Sequence, residues 1–203
     1  NINIKPETIF YSEINNVCRE VYNKNFQKTK TWTDIKLIPK KMIDKKIPKH
    51  DILLAGFPCQ PFSQAGVVKR NSLNKSHGFN DKNQGNLFFN ILDIINIKKP
   101  KVFLLENVKH LANYNGGKAL DKILVSLRQN YFVPDPKILN SSDFGLAQKR
   151  ERIYIVGFLK NINVNFEYPS PSYESTHVKD FLEKKVDKSF IISDRLWNGH
   201  KKR

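Results

Sequence analysis

The chain has 203 residues, of which 39% are hydrophobic, enough for one substantial folded domain. No apolar run reaches the roughly 20 residues that a membrane-spanning helix needs, and two cysteines, Cys18 and Cys59, supply neither a disulfide framework nor a cysteine metal cluster, which suits a reducing, intracellular setting. Lysine and arginine number 35 against 19 acidic residues, a formal charge of +16, which favours a polyanionic partner and attracts it at long range.

In chain order, Thr8-Ile-Phe-Tyr-Ser-Glu13 reads as a strand ending in a carboxylate. Ile14, Val17, Cys18, Val21 and Tyr22 then recur at helical spacing, which places Cys18 on an apolar stripe and predicts it in the core. Residues 27–50 are polar and lysine-rich, with Pro39 and Pro48 as breakers. Asp51–Phe57 reads as a buried parallel strand, and Gly56-Phe57-Pro58 ends it in a turn. Residues 60–84 form a long basic segment carrying Lys69, Arg70, Lys75 and His77, of the length usually reserved for function. A helix over 87–97 turns Phe88, Ile91, Leu92 and Ile95 inward, and a strand over 101–106 follows Pro100. Gly116-Gly117 precede a helix with Leu120, Ile123, Leu124 and Leu127 on one face, and Arg152–Leu159 is the last clear strand. Strands alternating with helices predict an α/β fold with a mostly parallel sheet. Beyond Phe166 the texture is linker-like and charged, so the division expected is 1–166 and 167–203.

In such sheets, ligands bind outside the carboxyl ends of the strands. Cys59 falls there, in Gly56-Phe-Pro-Cys-Gln-Pro-Phe-Ser63, and Glu106 ends another strand at the same edge. The first run resembles the nucleophile motif of the cytosine carbon-5 DNA methyltransferases. Leu104-Leu-Glu-Asn-Val108 resembles the Glu-Asn-Val block of that family, and Gln148-Lys-Arg-Glu-Arg-Ile-Tyr154 its Gln-x-Arg-x-Arg block, in the same order.

The resemblance implies a Rossmann-like sheet of the S-adenosylmethionine-dependent methyltransferase type. It also implies methyl transfer to carbon 5 of cytosine in double-stranded DNA through a covalent cysteine adduct, with the base flipped out, in a restriction-modification system. Cys59 would be the nucleophile, Glu106 the proton donor at ring nitrogen 3, and Arg152 the group that holds the cytosine carbonyl and orients the glutamate. Gln60, Ser63 and Lys69 would touch the DNA backbone, Asn107 would brace the site, and Arg150 would brace the loop, contact phosphate or pair with Glu151. For S-adenosylmethionine, Glu13 would bind the ribose hydroxyls and Asp34, beside Ile35, the exocyclic amine, while Pro58 and Leu87 would line the pocket. A plain turn role for Asp34 and a structural salt bridge for Glu106 are the competing readings.

Two parts of the family pattern find no counterpart in residues 1–203: an opening Phe-x-Gly-x-Gly turn and a target-recognition domain. The expectation is therefore a partial catalytic domain, incomplete at both ends and inactive alone, that needs flanking sequence or a complementing polypeptide. RNA cytosine methylation and a non-catalytic nucleic-acid-binding remnant are the rival functions. The expected location is the bacterial cytoplasm, at the nucleoid.

Overall fold

The computed structural model describes residues 6–26, 29–58, 87–172, 174 and 176–201. By packing they form two units, Asn1–Leu139 with Glu151–Pro169, and Asn140–Arg150 with Ser170–Arg203.

The first unit alternates strands and helices as the sequence pattern predicts. β1 (Phe10–Ser12) leads to α1 (Asn16–Asn25), whose N-terminus is capped by the Asn15 side chain accepting from the Val17 and Cys18 amides. β2 (Lys30–Trp32) lies parallel to β1, a strand that residues 27–50 do not advertise. The rest of that stretch, through α2 (Ile43–Lys46), is less polar than it reads. Ile38, Ile43 and Ile47 are buried with Ile94, and Phe10, Trp32 and Leu53 pack against them.

The larger sheet has the order β3 (Ile52–Gly56), β4 (Val102–Val108), β7 (Glu151–Leu159), β5 (Tyr131–Phe132), with β6 (Lys137–Asn140) also paired to β7. β3 and β4 are parallel. β7 runs antiparallel to both β4 and β5, so β3, β4 and β5 share one direction and β7 opposes them. Two helices link the strands, α3 (Leu87–Lys98) and α4 (Lys118–Arg128). Gly117 caps α4 at φ +85°, a conformation that glycine adopts without steric cost.

Strand period divides the sheet into two faces. Leu53, Ala55, Phe103, Leu105, Ile153 and Ile155 meet Phe88, Ile91, Ile95, Ile123, Leu124 and Leu127 of α3 and α4 in one apolar core. Gly157 belongs to this face, and a Cβ there would lie 2.1 Å from the Phe103 ring. Tyr131 packs its ring 5.0 Å from Phe103 and donates its hydroxyl to the Pro100 carbonyl at 2.8 Å. Burial pushes that phenol up to about 12.

Two expectations need correcting. Cys18 is exposed, not core, and Ile14, Val17 and Val21 of the same stripe are exposed with it. β3 is packed on one face only: Ile52 and Leu54 are 59% and 71% exposed. The helical and strand periods were legible in both cases, but no described element covers those faces.

In the second unit, a tight turn over Ser141–Phe144 ends at Gly145 (φ +79°). The Asn140 side chain accepts from the Arg150 amide at 3.0 Å, the Ser142 amide reaches the same oxygen, and Thr176 donates to the Gly145 carbonyl. α5 (Asp194–Lys201) closes the described chain.

Candidate active site

Glu106 lies two residues from the carboxyl end of β4. Because β7 runs antiparallel, its first residues come alongside that end: Arg152 is opposite Val108, and Tyr154 opposite Glu106. Positions 106 and 152 therefore project on one face, and Arg152 Nε meets Glu106 Oε1 at 2.8 Å. Their side chains are 36% and 19% exposed respectively, so the pair opens to solvent without standing free of the protein. Arg152 also donates Nη1 to the Glu151 carbonyl at 2.8 Å, and the Glu151 carboxylate pairs with Lys109.

The second Glu106 oxygen points elsewhere. Oε2 lies 3.6 Å from where a Cβ on Gly56 would be, so it faces the end of β3. None of the described residues hydrogen-bonds it. β3 leads through Phe57 and Pro58 to position 59, and Gly56 is in register with Glu106. One carboxylate oxygen is thus held by a guanidinium, while the other is directed at Gly56, the last residue of β3.

Asn107, on the opposite face of β4, is 1% exposed. Its Oδ1 accepts from the Val108 amide at 2.9 Å, and its Nδ2 donates to the Phe57 carbonyl at 3.4 Å. Phe57 is buried, with its ring edge-on to Phe88 at 5.7 Å. The chain leaving β3 is therefore held from β4 and from α3 just before Cys59. A buried amide spanning two strand ends restrains both, since leaving either of its groups unpaired would cost about 1–3 kcal/mol.

The smaller sheet carries two more acids at the carboxyl ends of adjacent parallel strands. Glu13 follows β1, its amide donating to the Trp32 carbonyl at 3.1 Å, and Asp34 lies two residues beyond β2. Glu13 Oε1 accepts from the Asn15 amide at 2.7 Å, and Arg19 braces the turn through the Glu13 and Ile14 carbonyls. Asp34 Oδ1 caps the following turn through the Lys36 amide at 2.9 Å, with Lys36 Nζ 3.7 Å from Oδ2. Ile35 packs against the Ile38/Ile43/Ile47 cluster. Pro58 and Leu87 are half-buried on either side of residues 59–86. Trp32, which the sequence reading passed over, has its indole nitrogen buried without a hydrogen-bond partner among the described residues. Its place in the sequence, two positions before Asp34, was the available signal.

The structure brings together Glu106, Arg152 and Gly56, three positions before Cys59 in the sequence. Cys59, Gln60, Ser63 and Lys69 themselves lie outside the described residues. Arg150 belongs to the second unit, where its backbone is pinned to Asn140 and Ser141. The Lys109–Glu151 pair beside Arg152 and the space left by Gly56 escaped the sequence reading, because both depend on the β4–β7 and β3–β4 registers.

The α/β fold is similar to that of a solved methyltransferase from Entamoeba histolytica, EhMeth. The TM-score is 0.72 at 23% identity, over 96% of this chain and 57% of that one. A family model described as C-5 cytosine-specific DNA methylase matches residues 2–203, and the chain belongs to that family. It is 43% identical over 197 residues to the Type II methyltransferase M.DsaV of Dactylococcopsis salina, covering 96% of this chain and 52% of the relative. It is 44% identical over 195 residues to the Type II methyltransferase M.NlaX of Neisseria lactamica, covering 96% and 58%. The chain thus spans about half the length of the curated relatives it matches.

Proposed function

We propose that this chain carries the catalytic machinery for methylating carbon 5 of cytosine in DNA, with S-adenosylmethionine as donor, as part of a restriction-modification system. The observation that carries the reading is the Glu106 carboxylate: one oxygen is held by Arg152, and the other faces the strand end that leads to Cys59.

Cytosine carbon 5 is a poor nucleophile while the ring is aromatic. The Cys59 thiolate adds to carbon 6, forming a carbon–sulfur bond and moving an electron pair toward nitrogen 3 and carbon 5. Glu106 supplies a proton at nitrogen 3, so the pair is not stranded there as negative charge. Arg152 fixes the glutamate and reaches the base carbonyl, and Asn107 keeps the Cys59 turn in place through the Phe57 carbonyl. S-adenosylmethionine, when bound, would supply an electrophilic sulfonium methyl group for carbon 5, with a neutral thioether as the leaving group. Loss of the carbon-5 proton to a base then expels the cysteine thiolate, nitrogen 3 returns its proton to the Glu106 carboxylate, and the aromatic ring is restored. A free thiol has a pKa near 8.5, so only a few per cent is ionised at neutral pH unless its surroundings are cationic.

Glu13 and Asp34 fit the donor chemically. Each is a carboxylate at a strand end, with lone pairs beyond the one committed to a backbone amide, suited to ribose hydroxyls and an exocyclic amine. Leu87, Pro58 and Ile35 would give the pocket apolar walls. Gln60, Ser63, Lys69 and Arg150 are assigned to the DNA backbone. The target cytosine must leave the stack, at a cost of a few kcal/mol. Residues 1–166 are assigned to the catalytic domain and 167–203 to the approach to a sequence-reading region. The activity belongs to the whole protein of which these residues are the catalytic part.

The test uses a duplex carrying 5-fluorocytosine, where fluorine blocks the final elimination. With S-adenosylmethionine present, a covalent protein–DNA adduct is expected, and Cys59→Ser should abolish it. Addition of flanking or complementing sequence is the second arm. If neither the chain nor the extended protein forms an adduct that depends on Cys59, the reading fails.

A further inference from the structure

The positive charge of this chain is not confined to the rim that carries Glu106. Six of the residues in 36–50 are lysine and only Asp44 is acidic. This segment ends at the amino end of β3, and the fold brings a second lysine group to it. Lys98 donates to the Asp44 carbonyl and carboxylate at 3.1 and 2.8 Å, Lys101 pairs with Asp51 at 2.9 Å, and the Val102 amide reaches the Asp51 carbonyl. The Leu159 amide donates to the Lys101 carbonyl, which brings Lys160 to the same edge. Lys45, Lys46, Lys49, Lys98, Lys99, Lys101 and Lys160 thus gather at the amino rim of the sheet, with Asp44 and Asp51 as the acids among them.

Each acid is already taken by one lysine, Asp44 by Lys98 and Asp51 by Lys101. Lys46 lies over the Trp32 ring at 5.3 Å. Lys45, Lys49 and Lys99 are exposed and carry no ion pair among the described residues. The Asp51 carboxyl is held below its usual range by Lys101, which hydrogen-bonds it, and Lys49 and His50 add to the pull. Lys99 occupies φ +47° just past the end of α3, where glycine or asparagine is the unstrained choice. A lysine at the end of a helix complements the helix dipole; Lys98 serves that purpose with its amine turned into Asp44, and Lys99 extends beyond it.

From Lys101 to Glu106 the strand advances about 17 Å, at 3.3 Å per residue. DNA is stiff over about 150 base pairs. A short duplex engaged at the carboxyl rim therefore does not bend round to the amino rim. We propose that Lys45, Lys49 and Lys99, at the amino rim, form a second DNA-backbone site that binds a duplex segment separate from the one whose cytosine is methylated. It reads no sequence. It holds a neighbouring segment by phosphate contact, so the protein can pass between segments without full release. The proposal rests on DNA being the partner and does not depend on methyl transfer.

The experiment saturates an immobilised 30-base-pair duplex with the protein and then adds a second, labelled duplex of the same length. The wild type should retain the label, and K45Q/K49Q/K99N should lose at least tenfold of that capture while still binding the first duplex. Its log affinity for the second duplex should fall less steeply with log salt, by about 0.9 per lysine that contacts a phosphate. K118Q/K137Q/K179Q removes the same charge elsewhere and should leave capture unchanged. Unfolding midpoints show whether all variants are folded. The proposal is overturned if the wild type captures no second duplex, if the rim variant captures normally, or if both triple variants lose capture equally. A rim variant that loses only RNA or anionic-vesicle binding would reassign the site. DNA capture without any fluorocytosine adduct would keep this proposal and sink the catalytic one.

Discussion

The two faces of the β3–β4–β7 sheet are made from similar residues and have different surroundings. Leu53 and Ala55 pack into the core under α3 and α4, while Ile52 and Leu54, alternating with them on the same strand, are exposed. Phe103, Leu105, Ile153 and Ile155 continue the sealed face. Glu106, Arg152 and Tyr154 lie on the other. That second face is covered over β7, where Phe166 packs 5.2 Å from Phe158 and Tyr168 donates its hydroxyl to the Tyr154 carbonyl. Over β3 the described residues leave it open. The Glu106–Arg152 pair therefore sits on the accessible side of a sheet whose rigidity comes from the other side. Burial on the sealed face fixes where the strand ends are, and the accessible face lets a substrate reach them.

The comparison breaks first at the sealed face. Phe103→Ala removes a fully buried ring beside Tyr131 and over Gly157, and should cost about 3–5 kcal/mol in urea unfolding. A loss near zero would mean that this face is not the core. Asn107→Ala comes next. It leaves the Val108 amide and the Phe57 carbonyl without their side-chain partner, and a loss of about 1–3 kcal/mol is expected. Adduct formation should fall more than stability accounts for, because the chain at Phe57, two residues before Cys59, loses its tether. Asn107→Asp keeps the acceptor for Val108 and loses the donor to Phe57, so comparing the two variants separates the bonds.

A smaller effect concerns pH. Tyr131 ionises in the unfolded chain near 10 and in the folded protein at about 12. Its folded pKa is the higher one, so its contribution is fully present below pH 10 and is lost as the pH rises from 10 through 12. Urea midpoints across that window should decline, and Tyr131→Phe should remove part of the decline while costing about 1 kcal/mol for the lost bond to Pro100. The least effect is expected on the open face: Leu54→Ser should change stability by no more than about 0.5 kcal/mol, because the side chain is largely in water already. If it instead costs as much as Phe103→Ala, the open face is a second core.

At the site the sharpest measurement is Glu106→Gln. It retains the shape and an oxygen for Arg152, which lies 2.8 Å from Glu106 Oε1, but has no carboxyl proton to give. Adduct formation should drop by about two to four orders of magnitude, as for the loss of a general acid, while DNA binding changes little. Arg152→Lys keeps a charge without the planar fork and should fall between wild type and Glu106→Gln.

Much of this was readable in the residues. The alternation of apolar runs with helical stripes placed β3, α3, β4 and β7 within a residue or two and identified the apolar face of α4, since each has a clear apolar pattern and all but β7 have a glycine or proline near one end. The motif blocks singled out Glu106 and Arg152. β2, β5 and β6 escaped because two- to four-residue strands have no period to detect, and their pairing partners hold them in place. Cys18 was misplaced because an apolar stripe states which face of a helix is apolar and not whether anything covers it.

Local order along the chain determined where the longer strands and helices form, and the motif blocks singled out Glu106 and Arg152. Only the tertiary structure decided that Glu106 and Arg152 touch, that the second carboxylate oxygen faces Gly56, and that, among the described residues, one face of β3 is packed while the other is open. The reason is physical. Period and composition act through neighbours in sequence, whereas the antiparallel register of β7 on β4 is set by burying Phe103, Leu105, Ile153 and Ile155 together beneath two helices, and that register carries the arginine to the acid.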